Sequence, residues 1–298
     1  MYPAPFRYHR PAELADAISL LAELGEGAKP LAGGQSLIPI LKLRMDEPSD
    51  LVDIGRLPGM ASIDDTGTGA RIGALATHAR IAASPLAQRV PIVADCAAGI
   101  ADVQVRNRGT IGGSVSSADP SCDWPALLHT LDAEVVCRGP HGERVVAIRD
   151  FIRDAYTTAL TPAELVTGIR FALPPPRSGG AYIGFKKAAP AYPAAAVGIQ
   201  LRLDDDGACT DVRLVLSAAG PRPVISAEAE TLLRGRRLTQ ANLDAAADAI
   251  IAAADPPADA RGSAPFKKTM LRTLLHKAAG IAVGRAEGRP NHGAHEYV

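Results

Sequence analysis

Two short stretches combine residues that can hold an anion: Ala32-Gly33-Gly34-Gln35-Ser36 and Thr110-Ile111-Gly112-Gly113-Ser114. Each sets two adjacent glycines after a short apolar lead and closes on a serine. Glycine admits positive φ and lets a ligand approach main-chain N–H groups without a Cβ in the way. Successive amides in such a bend form an anion-binding concavity, and the start of a following helix, here at Leu37, reinforces it. Ser36 and Ser114 can cap or donate to a phosphate oxygen. One such loop is weak evidence, because tight turns use Gly-Gly constantly. Two of them, each leaving a β element, suit a ligand with two phosphates gripped from both sides. On the residues alone, a diphosphate nucleotide and a pair of ordinary turns both stay open.

Other motifs offer less. "GTGARIG" (67–73) resembles a dinucleotide fingerprint, but its third glycine falls one position late and a hairpin continues where a helix should open. "DDDG" (204–207) lacks the alternating acids and terminal glutamate of a calcium loop and reads as a hairpin turn. His78, His129, His141 and His276 have no partners at metal-ligand spacing and are expected to be structural or solvent-facing. Trp124 is expected to be a packing residue. Cys96, Cys122, Cys137 and Cys209 are scattered, with no CxxC or Cys/His cluster, so buried free thiols are expected rather than a zinc or iron–sulfur site. There is no paired general acid and base.

The loops need elements to position them. Leu14, Ile18, Leu21 and Leu24 recur on one helical face over 11–25. Pro30 and "LAGG" give a short buried strand and turn, and "LVDIG" (51–55) a second strand, so the first loop lies in a small β-α-β unit. "MASIDDTGTGARIGALAT" reads as a hairpin and "SPLAQRVPIVADCAAGIA" as helical. "RNRGTIGGSVSSADPSCDWPALLHTL" reads as a second Gly/Ser-rich loop running into a helix. Strands follow at "AEVVCRG", "RVVAIRD" and "ELVTGIRFALPPP". "PPPRSGG" (174–180) is the linker candidate, stiffened by prolines and loosened at its end by glycines. Antiparallel strands and then helices follow it, with Leu243, Ala247, Ile250 and Ile251 on one stripe and Leu271, Leu274, Leu275 and Ala278 on another. Strands first and helices afterwards is an α+β signature.

The totals bound the function. The chain has 298 residues, with Lys+Arg and Asp+Glu both at 32 and a formal charge of zero. That is poor footing for binding nucleic acid, which relies on a basic face. The start of the chain lacks the apolar core of a signal peptide, and "AAPAYPAAAVGIQL" is too short and proline-rich to span a bilayer. A soluble, cytoplasmic protein is expected. With 4% aromatic residues, the core must be mostly aliphatic.

The stretches "FRYHRPAELADAISLL", "LAGGQSLIPILKLR", "LVDIG", "IGALATHARIA", "VQVRNRGTIGGSVSSADPSCDWPALL" and "GFKKAAPAYPAAAVGI", in that order, resemble the FAD-binding medium subunit of molybdenum hydroxylases. This is the group of carbon monoxide dehydrogenase, xanthine dehydrogenase and bacterial N-heterocycle dehydrogenases. The resemblance implies an α+β chain. Residues 1–176 would form a two-lobed FAD-binding domain of the vanillyl-alcohol oxidase and p-cresol methylhydroxylase type, with lobes of about 1–56 and 57–176. Residues 177–298 would form the C-terminal domain of carbon monoxide dehydrogenase flavoproteins, an antiparallel sheet plus helices.

Carried over by position, the resemblance places Ala32, Gly33, Gly34, Gln35, Ser36 and Leu37, with Thr110, Ile111, Gly112, Gly113 and Ser114, around the FAD diphosphate. It places Ile100 and Val166 as apolar contacts with the cofactor, although both also read as ordinary core residues. Asp123 falls near the nucleotide, where it would accept ribose hydroxyls; a helix N-cap explains it nearly as well. Lys186 falls beside the flavin, where a cation favours the anionic reduced ring, with a solvated strand lysine as the alternative. Tyr192 falls where relatives place an aromatic on one face of the isoalloxazine, and the two prolines of "AAPAYPAAA" depart from the pattern of many relatives there. The resemblance further implies an electron-transfer oxidoreductase subunit. Its partners would be a small subunit with [2Fe-2S] clusters and a large subunit with the molybdopterin cofactor, in a dimer of heterotrimers that discharges electrons to an external acceptor. The rival is a free-standing FAD oxidoreductase acting on its own organic substrate.

Overall fold

The computed structural model describes residues 2–289. The chain opens with β1 (Arg7–His9), α1 (Leu14–Leu24), β2 (Ala28–Leu31), α2 (Leu37–Lys42) and β3 (Asp50–Asp53). The three strands form a parallel sheet in the order β1-β3-β2. Ile18 and Leu21 bury the apolar face of α1 against it. Asp50, buried in β3, ties down β1 by accepting from Arg7 (2.8 Å) and His9 (2.6 Å), and these partners hold its carboxyl well below the usual range.

Next come the hairpin β4 (Ile63–Asp65) and β5 (Gly69–Gly73), then helices α3 (His78–Ala82), α4 (Pro85–Arg89), α5 (Pro91–Gly99), α6 (Val103–Arg106), α7 (Ile111–Ser117) and α8 (Asp123–Thr130). Strands β6 (Glu134–Gly139) and β7 (Gly142–Ala147), helix α9 (Ile148–Phe151), the small hairpin β8 (Ile152–Asp154) and β9 (Thr157–Thr158), and β10 (Leu165–Ala172) complete this part. The five-stranded sheet is antiparallel, in the order β4-β5-β10-β6-β7. "GTGARIG" lies in the β4–β5 hairpin, as its pattern predicts. The Ser-rich run expected to be a loop is instead α7. Thr110 caps it by accepting from the Gly113 amide (3.2 Å), and fully buried Ile111 and Val115 anchor it, so packing outweighs the weak helix propensity of Gly and Ser.

The remainder is a four-stranded antiparallel sheet, β11 (Ser178–Phe185), β12 (Ala195–Leu203), β13 (Cys209–Ser217) and β14 (Val224–Ile225), followed by α10 (Ala227–Leu233), α11 (Gln240–Ala252) and α12 (Ala264–Ala286). The α+β expectation holds. Along its strands Ala181, Ile183, Val197, Ile199, Leu214 and Leu216 face the C-terminal helices, while Tyr182, Ala196 and Val215 face the first core, which holds α5 and α8. A sheet covered on both faces explains why "AAAVGIQL" reads as a continuous apolar run rather than an alternation. The expected extent of this part to residue 298 passes beyond the described residues.

The glycines of "PPPRSGG" do not loosen a linker. Both belong to β11, and a Cβ on Gly179 would lie inside the carbonyl oxygen of Ala282, so its absence lets α12 press on the strand. Across this seam Arg285 of α12 donates to both oxygens of Asp95 on α5, at 2.6 and 2.9 Å, and to the Gly180 carbonyl at 2.6 Å; the Tyr182 amide also donates to Asp95. Both partners are nearly inaccessible. An exposed pair such as Arg272–Asp248 contributes about 0–1 kcal/mol. Removing one member of a buried pair costs about 3–5 kcal/mol, because the other charge is left behind. Arg285→Met is therefore expected to lower unfolding free energy in urea by about 3–5 kcal/mol, and the double replacement Asp95→Leu/Arg285→Met by clearly less. A double-variant loss as large as that of Arg285→Met, or larger, would show that the stranded Asp95 charge is not what makes the single replacement costly.

Candidate functional site

The first glycine loop leaves β2 and enters α2. Gly34 has φ of 77°, and its carbonyl accepts from the Ile38 amide (3.1 Å), which closes the turn. Gly33 is required for a different reason. A Cβ there would lie inside the carbonyl oxygen of Arg108 and 3.0 Å from the Cα of Gly109, the residue before the second loop. The two loops therefore touch, backbone against backbone.

The second loop is fastened to the segment after β5. Gly112 donates to the Ala74 carbonyl (2.8 Å), Ile111 to Ala76 (3.1 Å), and the His78 amide to the Gly109 carbonyl (3.1 Å). A Cβ on Gly112 would lie 2.5 Å from that of Ala74. Gly112 thus permits packing against protein, and neither it nor Gly113 has positive φ. The loops also differ in what they offer a ligand. None of the amides of Gly33, Gly34, Gln35, Ser36 and Leu37 donates to another described residue, whereas Ile111, Gly112, Gly113 and Ser114 all donate within the chain. The first loop presents main-chain donors; the second presents the hydroxyls of Thr110 and Ser114.

Between them lies a cavity of about 460 Å³, lined by Ala32 to Leu37, Thr110 and Gly112 to Ser114. That size is within the range of roughly 300–1,000 Å³ typical of small-molecule sites. Ile100, Asp123, Val166, Lys186 and Tyr192 also line it, drawn from four further segments. Ile111 does not: its side chain is fully buried in the core, and its amide is taken. Asp123 is not an N-cap, because α8 begins with it and Cys122 occupies the cap position without a side-chain bond. Its Oδ1 accepts from the Tyr182 hydroxyl at 3.1 Å. Lys186 is not a solvated strand lysine: its ammonium reaches back to the Gly99 carbonyl at the end of α5. Arg106 donates to the next two carbonyls, Ile100 (2.9 Å) and Ala101 (2.8 Å), so two cations fix the bend that presents Ile100. Tyr192 lies beside Ser36 and Cys122, and burial raises its phenol.

Two features of the wall escape the sequence motifs. Cys122 lines the cavity, its thiol pushed up to about 12 by burial, so it is neutral and unreactive. His78, expected to be structural or exposed, is buried in the cavity wall, and its Nδ1 accepts from Trp124 Nε1 at 3.0 Å. Burial, aided by nearby Arg106, pushes the imidazole down to about 4. The partners lie on different helices, at a spacing that matches no motif. All four cysteines are buried and free. Among the described residues no cluster of His, Cys, Asp and Glu could hold a metal, and no helix is long and apolar enough to cross a membrane.

Known proteins share this architecture. A family profile described as the FAD binding domain in molybdopterin dehydrogenase matches residues 4–174, and the CO dehydrogenase flavoprotein C-terminal domain matches 180–282. The carbon monoxide dehydrogenase medium chain of Afipia carboxidovorans is 40% identical over 288 residues, 96% of this chain and 100% of that one. The 6-hydroxypseudooxynicotine dehydrogenase complex subunit alpha of Paenarthrobacter nicotinovorans is 35% identical, covering 96% and 97%. Among solved structures, a cyanide-inactivated Cu,Mo-CO dehydrogenase superposes with a TM-score of 0.92 at 40% identity, covering 96% of this chain and 100% of that one. Quinoline 2-oxidoreductase from Pseudomonas putida gives 0.90 at 28%, covering 96% and 99%.

Two outcomes follow from this geometry. Gly33→Ala must push the loops apart, so bound flavin (absorbance near the visible flavin band per protein) and melting temperature are expected to fall together; full flavin content would show that the contact is dispensable. The second concerns acid. The unfolded chain protonates His78 from about pH 6.5 downwards, whereas the folded chain resists until about 4. The contribution of neutral His78 to folding stability is thus complete above pH 6.5 and declines as pH falls towards 4. His78→Gln is expected to show a shallower decline in urea unfolding across that window.

Proposed function

The chain belongs to the FAD-binding medium chains of the carbon monoxide dehydrogenase and xanthine dehydrogenase family, and from that premise we propose how it works within its complex. It is the FAD-binding subunit of an oxidoreductase of the molybdenum hydroxylase type. In our reading it accepts electrons from [2Fe-2S] clusters of a small partner subunit and passes them to an external acceptor. A large molybdopterin-bearing chain hydroxylates the substrate, and the cytoplasmic assembly is a dimer of heterotrimers. This division of labour leaves the chain to bind and position the cofactor while a partner carries the chemistry at the substrate.

The observation that carries the proposal is the row of five amides, Gly33 to Leu37, that donate to no other described residue and line a cavity faced by a second loop. Such a donor set fits a dinucleotide diphosphate. These amides, with the hydroxyls of Ser36, Thr110 and Ser114, bind the phosphates. Asp123, steadied by Tyr182, accepts a sugar hydroxyl. Ile100 and Val166 pack against the ring systems, and Tyr192 stands across the mouth between the loops. Bound FAD supplies a ring able to take up and release electrons one or two at a time. Lys186, held at the Gly99 carbonyl, places positive charge where it favours the reduced, anionic ring. Neutral Cys122 and His78 leave that charge uncompensated by a thiolate and without a second cation from the imidazole.

The first test is the visible spectrum of the purified protein, followed by release and identification of the flavin. FAD at about one per chain supports the proposal, while a colourless protein that takes up no added FAD would overturn it. Lys186→Gln is expected to retain FAD and lower its midpoint potential in a spectroelectrochemical titration. An unchanged potential would place the ammonium away from the ring.

A further inference from the structure

We propose that His78 is a cofactor-binding residue, donating a hydrogen bond from Nε2–H to an oxygen of the bound dinucleotide's phosphate–ribityl backbone where the two glycine loops meet. This rests on the FAD reading above and adds a residue to it.

The ring's hydrogen bonding fixes which nitrogen carries the proton. An indole N–H can only donate, so Nδ1 of His78 must carry a lone pair towards Trp124. A neutral imidazole holds one proton, and with Nδ1 accepting, that proton is on Nε2. The charged form would set an N–H of the imidazolium against the indole N–H, with Arg106 adding repulsion, which agrees with the depressed basicity of the ring. The tautomer is therefore fixed by a partner on another helix. Nε2 is a donor throughout the neutral range.

That donor has no acceptor among the described residues. His78 is 4% exposed, yet among the described residues Nε2 makes no hydrogen bond. No fully buried side-chain nitrogen or oxygen among them lacks a partner, so Nε2 must open onto accessible space, and His78 lines the cavity. An unpaired buried donor costs roughly 1–3 kcal/mol. A ligand oxygen would satisfy it.

The surroundings place this donor at the cofactor's backbone rather than its rings. A Cβ on Gly109 would lie 2.7 Å from Nε2 and 2.9 Å from Cδ2, so glycine is what makes room for the imidazole edge. Gly109 also meets Gly33, on which a Cβ would lie 3.0 Å from the Gly109 Cα. Gly33, Gly109 and the His78 ring edge thus follow one another across the loop junction. Backbone bonds hold the ring there: the His78 amide donates to the Gly109 carbonyl, Thr77 pairs with Thr110, and Thr77 caps α3.

The test is FAD titration of deflavinated protein, purified as the full chain with its native partner chains, followed by flavin fluorescence. His78→Ala is expected to raise the FAD dissociation constant about tenfold, the effect of one hydrogen bond. His78→Gln, whose amide restores a donor near the Nε2 position, should recover most of the loss. Trp124→Phe, which frees the tautomer, should cost less than His78→Ala. A structural role alone would not move the second readout: in ¹⁵N-histidine spectra the free protein should show the Nε2–H tautomer, and FAD should shift that resonance. Wild-type affinity in His78→Ala, or an Nε2 resonance indifferent to FAD, would overturn the assignment while leaving the flavin reading intact. A wild-type protein that binds no FAD would instead overturn the flavin reading, and this assignment with it.

Discussion

The site depends on one close approach: the backbone of Gly33 pressed against the Arg108 carbonyl and Gly109. No side chain fits between them. Everything the cavity offers a ligand is referred to that contact, because it sets the amides of Gly33 to Leu37 opposite the hydroxyls of Thr110 and Ser114. The first loop leaves a strand, whereas the second, expected to leave a β element, lies between α6 and α7, so different fold elements behind them hold this approach. The parallel sheet carries the first loop. The hydrogen bonds from Ile111 and Gly112 to the strand exit at Ala74–Ala76 carry the second.

The remaining walls come from the seam between the two cores. The four-stranded sheet is buried on both faces, and the Asp95–Arg285 pair ties its edge strand to α5 and α12. The end of α5 then becomes a wall of the cavity, where Lys186 and Arg106 bind three successive carbonyls, Gly99 to Ala101, and thereby aim Ile100. The seam and the cavity are joined through α5. A change at Asp95 acts on the same helix that presents Ile100 and anchors the lysine.

Much of this was legible in the sequence. The β-α-β unit, the hairpins and the long C-terminal helices declared themselves through periodicity and turn residues, because each buries a regular face. The glycine pairs marked the right two places, but for partly the wrong reason. Their missing Cβ atoms make room for protein at Gly33 and Gly112, and only Gly34 needs a positive φ. The run after Thr110 reads as a loop because Gly and Ser are poor helix formers, and the tertiary burial of Ile111 and Val115 reverses that. In the same way the glycines of "PPPRSGG" look like a hinge until α12 is seen to lie on them. His78, Trp124, Asp95 and Arg285 form pairs across long sequence separations, and no local pattern encodes such pairs.

The central claim is that the first loop's amides wait for a diphosphate while those of the second are already bonded. Amide hydrogen exchange with and without FAD tests it most directly. Adding FAD should strongly protect Gly33 to Leu37 and change Ile111 to Ser114 little. Unchanged exchange at Gly33 to Leu37 in protein that demonstrably holds FAD would contradict the account.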